Sequence, residues 1–173
     1  PAAGKFASID GSAYAASAAT QQVDCPAGTY DHGGDGAGAC VACANGTYGA
    51  SAGQTTCGGT VAAGHFGSVS GSYVATGATA ETICPNGTYD DSGDGDGDCV
   101  DVAAGKRGTN GSNVYAATGA VAAEACPVDT WNGDGNGDCA TPAAGKFASI
   151  DGSAYAASAA TQQVDCPAGT YGD

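Results

Sequence analysis

The apolar residues of this chain occur in brief runs, such as residues 5–9 and 67–69, that lie on either side of a Gly-Ser pair. Glycine followed by serine marks a turn, and a turn between two short apolar runs predicts a β-hairpin. The alanine-rich stretch 13–20 has helical propensity, but its interleaved serine and threonine favour extended structure. The pattern therefore predicts short strands and turns rather than helices.

The sequence repeats itself at long range. Residues 1–30 recur letter for letter as residues 142–171, at an offset of 141 residues. Identity over this length indicates a window on a tandem array. Within one period, a long spacer precedes three of the four cysteine loops, and the second loop follows the first directly. We divide the chain into segments 1–40, 41–57, 58–99 and 100–141, with 142–173 beginning the next period.

One short motif organises the period, and its first copy is Cys25-Pro26-Ala27-Gly28-Thr29-Tyr30. Further copies begin at Cys43, Cys84 and Cys166, and a looser copy that ends in Trp131 begins at Cys126. In the four copies of the first period, a second cysteine follows 13 to 15 residues after the first. The chain therefore contains a series of small, similar cysteine loops.

The composition predicts a weak hydrophobic core. The chain has no leucine or methionine, its commonest apolar residue is alanine with 38 copies, and it has 31 glycines. Alanine buries little area, and glycine raises the conformational entropy that folding must overcome. Disulfides can supply the missing constraint. We expect a small, disulfide-rich fold, mostly β and irregular, forming an elongated tandem-repeat array without a large hydrophobic core.

The nine cysteines favour disulfides over zinc. Only one pair, Cys40 with Cys43, has the C-x2-C spacing of a metal site, and no second such pair follows it at the distance found in zinc fingers. Sequence does not prove connectivity. The local solution joins the two ends of each loop, and leaves Cys166 to pair with a cysteine of the next period. The expected pairs are Cys25–Cys40, Cys43–Cys57, Cys84–Cys99 and Cys126–Cys139.

The net charge of −14 argues against nucleic acid and anionic membrane surfaces as partners, because both attract basic patches. We also find no apolar run of the length that spans a membrane. The cysteines place the protein in an oxidising, extracellular setting or at a cell surface.

The first two cysteine loops resemble the ephrin-receptor-like cysteine-rich repeat, which is similar to modules of TNF-receptor ectodomains. The resemblance covers residues 25–57 and rests on the motif at Cys25, on Cys40-Val41-Ala42-Cys43, on Asn45-Gly46-Thr47-Tyr48 and on Cys57. Such repeats are common in surface and appendage proteins of protists and algae, including the flagellar hairs called mastigonemes. The resemblance implies secreted, disulfide-linked, elongated modules and no catalytic residues.

Three N-x-S/T sequons, at Asn45, Asn86 and Asn110, are candidate glycan acceptors. Asn45 and Asn86 occupy the same point of their cysteine loops. The competing interpretation is that each asparagine only forms a turn before glycine. We expect covalent glycans at these positions, and the serine-rich and threonine-rich spacers are compatible with O-linked sugars.

The later cysteine loops alternate acidic residues with glycine, a pattern similar to thrombospondin type 3 repeats. Calcium prefers several hard oxygen ligands from a flexible loop. Counted from Asn132, however, position 12 is Ala143, where an EF-hand needs glutamate. A solvated glycine-rich turn is the competing interpretation. The candidate calcium ligands are Asp94, Asp96, Asp98, Asp134, Asn136 and Asp138.

The histidines, His32 and His65, are isolated in sequence, and no nucleophile motif accompanies them. We therefore expect no enzyme. The main hypothesis is a structural repeat protein that builds an extracellular filament or surface appendage from copies of itself. The alternatives are a receptor-like or adhesive extracellular binding module and a calcium-dependent spacer.

Overall fold

The computed structural model describes residues 1–92 and 95–170. These residues form short strands and turns, with no helix among them. The expectation of a small, disulfide-rich β fold is confirmed. The strands are β1 Lys5–Ser8, β2 Gln21–Asp24, β3 Thr29–Tyr30, β4 Val41–Ala42, β5 Thr47–Tyr48, β6 Gly59–Thr60, β7 His65–Val69, β8 Ser72–Tyr73, β9 Ala80–Ile83, β10 Thr88–Asp90, β11 Cys99–Asp101, β12 Lys106–Thr109, β13 Ala122–Ala125, β14 Lys146–Ser149 and β15 Gln162–Asp165.

The strands pair locally into small antiparallel sheets. Among the described residues, six sheets have two strands, namely β1-β2, β3-β4, β5-β6, β10-β11, β12-β13 and β14-β15, and a seventh has three in the order β8-β7-β9. The β1-β2 register runs from Lys5 opposite Asp24 to Ser8 opposite Gln21, and β14-β15 repeats it from Lys146 opposite Asp165. A hairpin at the Gly-Ser turn occurs as predicted where Val69 pairs with Ser72.

One β-turn recurs throughout the described residues and begins every strand pair. In each copy a backbone N–H donates to the carbonyl oxygen three residues earlier, as Thr29 does to Pro26 at 3.0 Å. The third residue of the turn has positive φ, which glycine adopts without steric cost. It is glycine in eight copies, with φ from 72° to 90°, and Asp129 in the ninth, with φ 60°. The nine turns begin at Ala2, Pro26, Ala44, Ala62, Pro85, Ala103, Pro127, Ala143 and Pro167.

Because spacers and cysteine loops share this turn, they are versions of one module. In both, the turn leads into a strand, a returning strand pairs with it, and the next residue donates its N–H to the turn glycine. Cys25 donates to Gly4 after a spacer, and Cys43 donates to Gly28 after a cysteine loop, each at 2.9 Å. We number the modules as module 1 (1–24), module 2 (25–42), module 3 (43–60), module 4 (61–83), module 5 (84–101), module 6 (102–125), module 7 (126–141) and module 8 (142–165).

The described residues fall into two compact units. One contains residues 1–82 and 95–98, and the other contains residues 83–92 and 99–170. Neither unit buries many large side chains: the buried apolar residues are mostly cysteine, alanine and valine, with Phe6 and Phe66 as the aromatic members. In every disulfide the first cysteine is at most 1% exposed, which places the cross-links inside the small cores.

Candidate functional site

The surface on which successive modules contact each other is the most regular feature of the structure. Each cysteine-bearing module binds the following module through two backbone hydrogen bonds. Gly53 donates to the Cys25 carbonyl oxygen at 2.8 Å, and Asp31 donates to the Gln54 carbonyl oxygen at 2.9 Å. The same pair of bonds recurs for modules 3 and 4, 5 and 6, and 7 and 8. The equivalent donors are Gly77 and Gly49, Gly119 and Asp90, and Ala159 and Asn132.

The turn glycines contact the module after next. A Cβ atom on Gly4 would lie 2.0 Å from the Gly53 carbonyl oxygen, and one on Gly28 would lie 2.2 Å from the Gly77 carbonyl oxygen. In the second unit, a Cβ atom on Gly105 would lie 2.3 Å from the Ala159 carbonyl oxygen. Glycine at these turns therefore serves two purposes: it adopts the positive φ, and it permits close backbone packing between modules.

A buried polar residue follows the aromatic residue in three of the cysteine loops. Asp31, Asp90 and Asn132 are 2%, 1% and 5% exposed. The Asp31 Oδ2 atom accepts hydrogen bonds from the Gly4 N–H at 3.1 Å and the Gly36 N–H at 2.8 Å. One carboxylate therefore joins module 1 to the second half of the first loop.

Asn132 performs the same task with an amide. Its Oδ1 accepts the Gly135 N–H at 3.0 Å, and its Nδ2 donates to the Lys106 carbonyl oxygen at 2.8 Å. Sequence reasoning missed these three residues, although a signal exists: the pairs Tyr30-Asp31, Tyr89-Asp90 and Trp131-Asn132 recur at one position of the motif. The acidic half of each of these three loops is therefore folded around an internal polar residue.

We predict that Asp31→Ala destabilises the first unit by about 2–3 kcal/mol, because it leaves two buried N–H groups without their acceptor. Asp31→Asn should cost about 1 kcal/mol, because an amide oxygen still accepts, as at Asn132. Urea denaturation followed by circular dichroism measures both. Asp35→Ala, at an exposed position, is the control. Equal effects at positions 31 and 35 would contradict the role of the buried carboxylate.

The four disulfides join Cys25 to Cys40, Cys43 to Cys57, Cys84 to Cys99 and Cys126 to Cys139. These are the loop-end pairs that the sequence favours. Cys166 is the one cysteine of the described residues that has no disulfide partner. It is half-buried, whereas Cys25, at the same position of the identical first copy, is 1% exposed.

The candidate calcium ligands contact other groups of the protein. Asp138 accepts a hydrogen bond from Arg107 Nη1 at 2.7 Å and the Cys139 N–H at 2.8 Å, and Asp134 accepts the Asn136 N–H at 2.9 Å. These loop residues line one cleft of about 310 Å³ with Trp131. In the first unit, the carbonyl oxygen of Asp96 accepts a hydrogen bond from Asn45 Nδ2.

Asp98 also takes part in interactions within the protein. Asp94 lies outside the described residues. Across the chain that the structure describes, no three His, Cys, Asp or Glu side chains form a group able to hold a metal ion.

The three sequon asparagines are exposed. Asn45 and Asn86 each precede the positive-φ glycine of a module turn, where the other modules have alanine or valine. The sequon threonines support the turn: Thr88 Oγ1 donates to the Pro85 carbonyl oxygen at 2.8 Å, and Thr47 does the same to Ala44. Asn110 lies in the spacer turn of module 6, where its Oδ1 accepts the Ser112 N–H at 3.0 Å.

Trp131 lies on a cluster of alanines from module 8, which is the hydrophobic cluster of the second unit. Ala148, Ala156 and Ala160 are 1%, 8% and 0% exposed beneath it. Beside this contact, Tyr155 Oη donates to Asp129 Oδ1 at 2.7 Å. That hydrogen bond raises the pKa of Tyr155 above its usual value, because the carboxylate stabilises the protonated phenol.

The spacer turn of module 8 contains Asp151, whose Oδ1 accepts the Ser153 N–H at 2.9 Å and the Ala154 N–H at 3.3 Å. These bonds to the charged form lower the pKa of Asp151 to about 2. Because the pKa of Asp151 is lower in the folded state than in the unfolded state, its charge stabilises the fold at pH values above the unfolded-state pKa. This stabilisation is lost only as the pH falls towards 2.

Each histidine makes its own local contact. His32 is exposed and makes an edge contact with the Tyr30 ring at 5.9 Å between centroids. His65 is half-buried, and its Nδ1 lies 3.2 Å from the Ala63 carbonyl oxygen. Among the described residues, no helix has the length and apolarity needed to cross a bilayer.

Comparisons with models of known families and with curated protein sequences find no match to this chain.

Proposed function

We propose that this chain is part of a structural repeat protein that builds an extracellular filament or surface appendage. The observation that carries the proposal is the repeated module contact, in which the same two backbone hydrogen bonds link modules 2 and 3, 3 and 4, 5 and 6, and 7 and 8. A contact made through the backbone tolerates changes of side chain, so it can be repeated along an array.

The identical copies at residues 1–30 and 142–171 support this function. A filament needs the same contact surface at regular intervals, whereas a receptor or adhesin usually diversifies its modules to recognise a ligand. Four disulfides indicate an oxidising compartment. The resemblance of residues 25–57 to repeats of appendage proteins supports placing that compartment outside the cell.

Electron microscopy of the native, non-reduced protein tests this proposal. We expect regular filaments whose axial spacing corresponds to the 141-residue period. Separate rods of varied length, without end-to-end or lateral order at any concentration, would overturn it. That result would instead favour a receptor-like or adhesive stalk.

Glycans at the module turns are part of the proposed function, because they would cover exposed backbone on a thin array. Mass spectrometry of peptides from protein secreted by a eukaryotic cell, before and after removal of N-glycans, measures occupancy. We expect occupancy at Asn86, whose exposed side chain contacts the protein through Oδ1, which accepts from Tyr115 Oη at 3.2 Å. Lower occupancy is expected at Asn45, because its Nδ2 already donates to Asp96. Unmodified Asn86 in secreted protein would refute this assignment.

A further inference from the structure

The cysteine loop of module 7 contains a cleft of about 310 Å³ that combines an aromatic wall with polar side chains. Trp131 forms the wall, and Asp134, Asn136 and Asp138 are among the polar residues that line it. Pockets that bind small molecules have this composition, an aromatic or apolar wall with a few polar groups. The lining comes entirely from residues 131–140, and the structure describes modules 6 and 8 on either side in full.

Glycine at position 133 leaves part of the Trp131 ring open to the cleft. In module 2 the equivalent ring, Tyr30, is in edge contact with His32, at 5.9 Å between the ring centroids. The residue at the same position of module 7 is Gly133, and a Cβ atom there would lie 3.2 Å from Trp131 Cζ3. A side chain at position 133 would therefore cover ring surface that glycine leaves available to a ligand.

The carboxylates of the cleft keep acceptor atoms for a ligand. Asp134 accepts the Asn136 N–H through its Oδ1 atom, and Asp138 accepts Arg107 Nη1 and the Cys139 N–H through its own Oδ1 atom. The Oδ2 atom of each carboxylate can accept a hydrogen bond from a hydroxyl group. Because Arg107 already balances the charge of Asp138, the cleft suits a neutral ligand that carries hydroxyl groups.

The same cleft adjoins the sequon of module 5. Asn136, in its lining, packs on Gly87: the Asn136 Oδ1 atom occupies the space that a Cβ atom on Gly87 would need. Gly87 directly follows the sequon asparagine Asn86. Tyr115 Oη donates to Asn86 Oδ1 at 3.2 Å, so the amide is held by its oxygen and not by Nδ2, the atom to which an N-glycan is attached.

We propose that this cleft binds the first N-acetylglucosamine of a glycan carried by Asn86. The apolar face of the sugar ring stacks on Trp131, and its hydroxyl groups donate to Asp134 and Asp138. The occupant follows from proximity: Asn136 contacts the residue next to Asn86, so a sugar attached there is held beside the cleft at a high effective concentration. The glycan thereby links module 5 to module 7. This contact rests on the glycan assignment made in the proposed function.

Acrylamide quenching of Trp131 fluorescence tests the contact, because Trp131 is the only tryptophan. The chain is secreted by a eukaryotic cell, and mass spectrometry first measures occupancy at Asn86. Asn86→Gln, which lacks this glycan, should raise the quenching constant about twofold, because the ring loses the ligand that covers it. The matched control, Asn110→Gln, removes a sequon of module 6 that does not line the cleft, and should leave quenching unchanged.

Two further measurements do not depend on Asn86→Gln alone. Thr88→Val removes the same sequon without changing Asn86, and Thr88→Ser, which keeps the sequon, is its control. An endoglycosidase that trims the glycan to its first sugar should leave quenching low in the unmutated chain. Asp134→Ala should raise quenching in the glycosylated chain and have no effect in Asn86→Gln, because the carboxylate acts only through the sugar.

Equal quenching of the unmutated chain and Asn86→Gln, when Asn86 is occupied, would overturn this contact and leave the glycan assignment standing. Equal increases in Asn86→Gln and Asn110→Gln would also overturn it, because they would indicate general shielding by glycans. A rise in quenching on trimming to one sugar would refute the first N-acetylglucosamine as the ligand. Unmodified Asn86 would overturn both the contact and the glycan assignment, whereas microscopy of the native protein decides the filament separately.

Discussion

Full reduction of the disulfides is expected to unfold the protein without any change in temperature or pH. The four bonds close loops with sequence separations of 13 to 15 residues. A loop of this length contributes about 3 kcal/mol by restricting the unfolded chain. Each compact unit contains two of the disulfides, so reduction removes about 6 kcal/mol from each unit. The total stability of a small domain is about 5–15 kcal/mol, so this loss is comparable with the whole stability of a unit.

The hydrophobic contacts that remain after reduction are small. Phe6 and Phe66 are the largest buried apolar side chains, and the rest of the buried apolar set is alanine, valine and the cysteines themselves. Circular dichroism before and after reduction measures the loss of strand structure, and Trp131 emission reports the second unit. Retention of the native spectrum after complete reduction would show that backbone hydrogen bonds and packing hold the modules without cross-links.

Single loops offer a matched comparison for this prediction. Cys25→Ser with Cys40→Ser should lower stability by about 3 kcal/mol. In a recombinant chain limited to residues 1–173, Cys166→Ser changes the identical position of the second copy, where the structure has no disulfide, and should leave the melting temperature unchanged within error. Equal effects of the two variants would mean that the cysteine side chain, rather than the cross-link, provides the stability.

In a recombinant chain limited to residues 1–173, Gly4→Ala is expected to destabilise the first unit by about 3–4 kcal/mol, whereas Gly145→Ala should cost about 1 kcal/mol. The two glycines are equivalent residues of the identical copies, and both have φ 78°. Alanine is strained at this φ in both places. At Gly4, however, the new Cβ atom would also lie 2.0 Å from the Gly53 carbonyl oxygen, while no atom lies within 4 Å of the Gly145 position.

Urea denaturation of the two variants measures this difference, because the backbone strain is common to both and cancels in the comparison. Amide hydrogen exchange in residues 49–54 locates the effect: it should increase in Gly4→Ala, where module 3 contacts the turn, and remain unchanged in Gly145→Ala. Similar losses of stability in both variants would show that positive φ alone explains the glycine, and that the contact between modules 1 and 3 contributes little.

These variants distinguish two explanations of the repeated glycine that sequence cannot separate. Sequence shows glycine before Lys5, Thr29 and Thr47, which predicts turns. It does not show that several of these glycines pack against the backbone of another module, because that contact joins residues far apart in the chain.

Much of the local structure was determined by the sequence alone. Short apolar runs around Gly-Ser pairs predicted strands and turns instead of helices, and regular cysteine spacing predicted the loop-end disulfides Cys25–Cys40, Cys43–Cys57, Cys84–Cys99 and Cys126–Cys139. These features depend on φ preferences, periodicity and the proximity of the two cysteines of a loop. All three are properties of residues close together in the sequence, so they can be deduced without knowledge of the tertiary structure.

Only the tertiary structure showed that a spacer and a cysteine loop are versions of one module. It also showed that Asp31 and Asn132 are buried hydrogen-bonding residues rather than part of a solvated acidic turn, and that Trp131 covers Ala160. Each of these facts depends on contacts between modules, which the composition of a single loop does not encode.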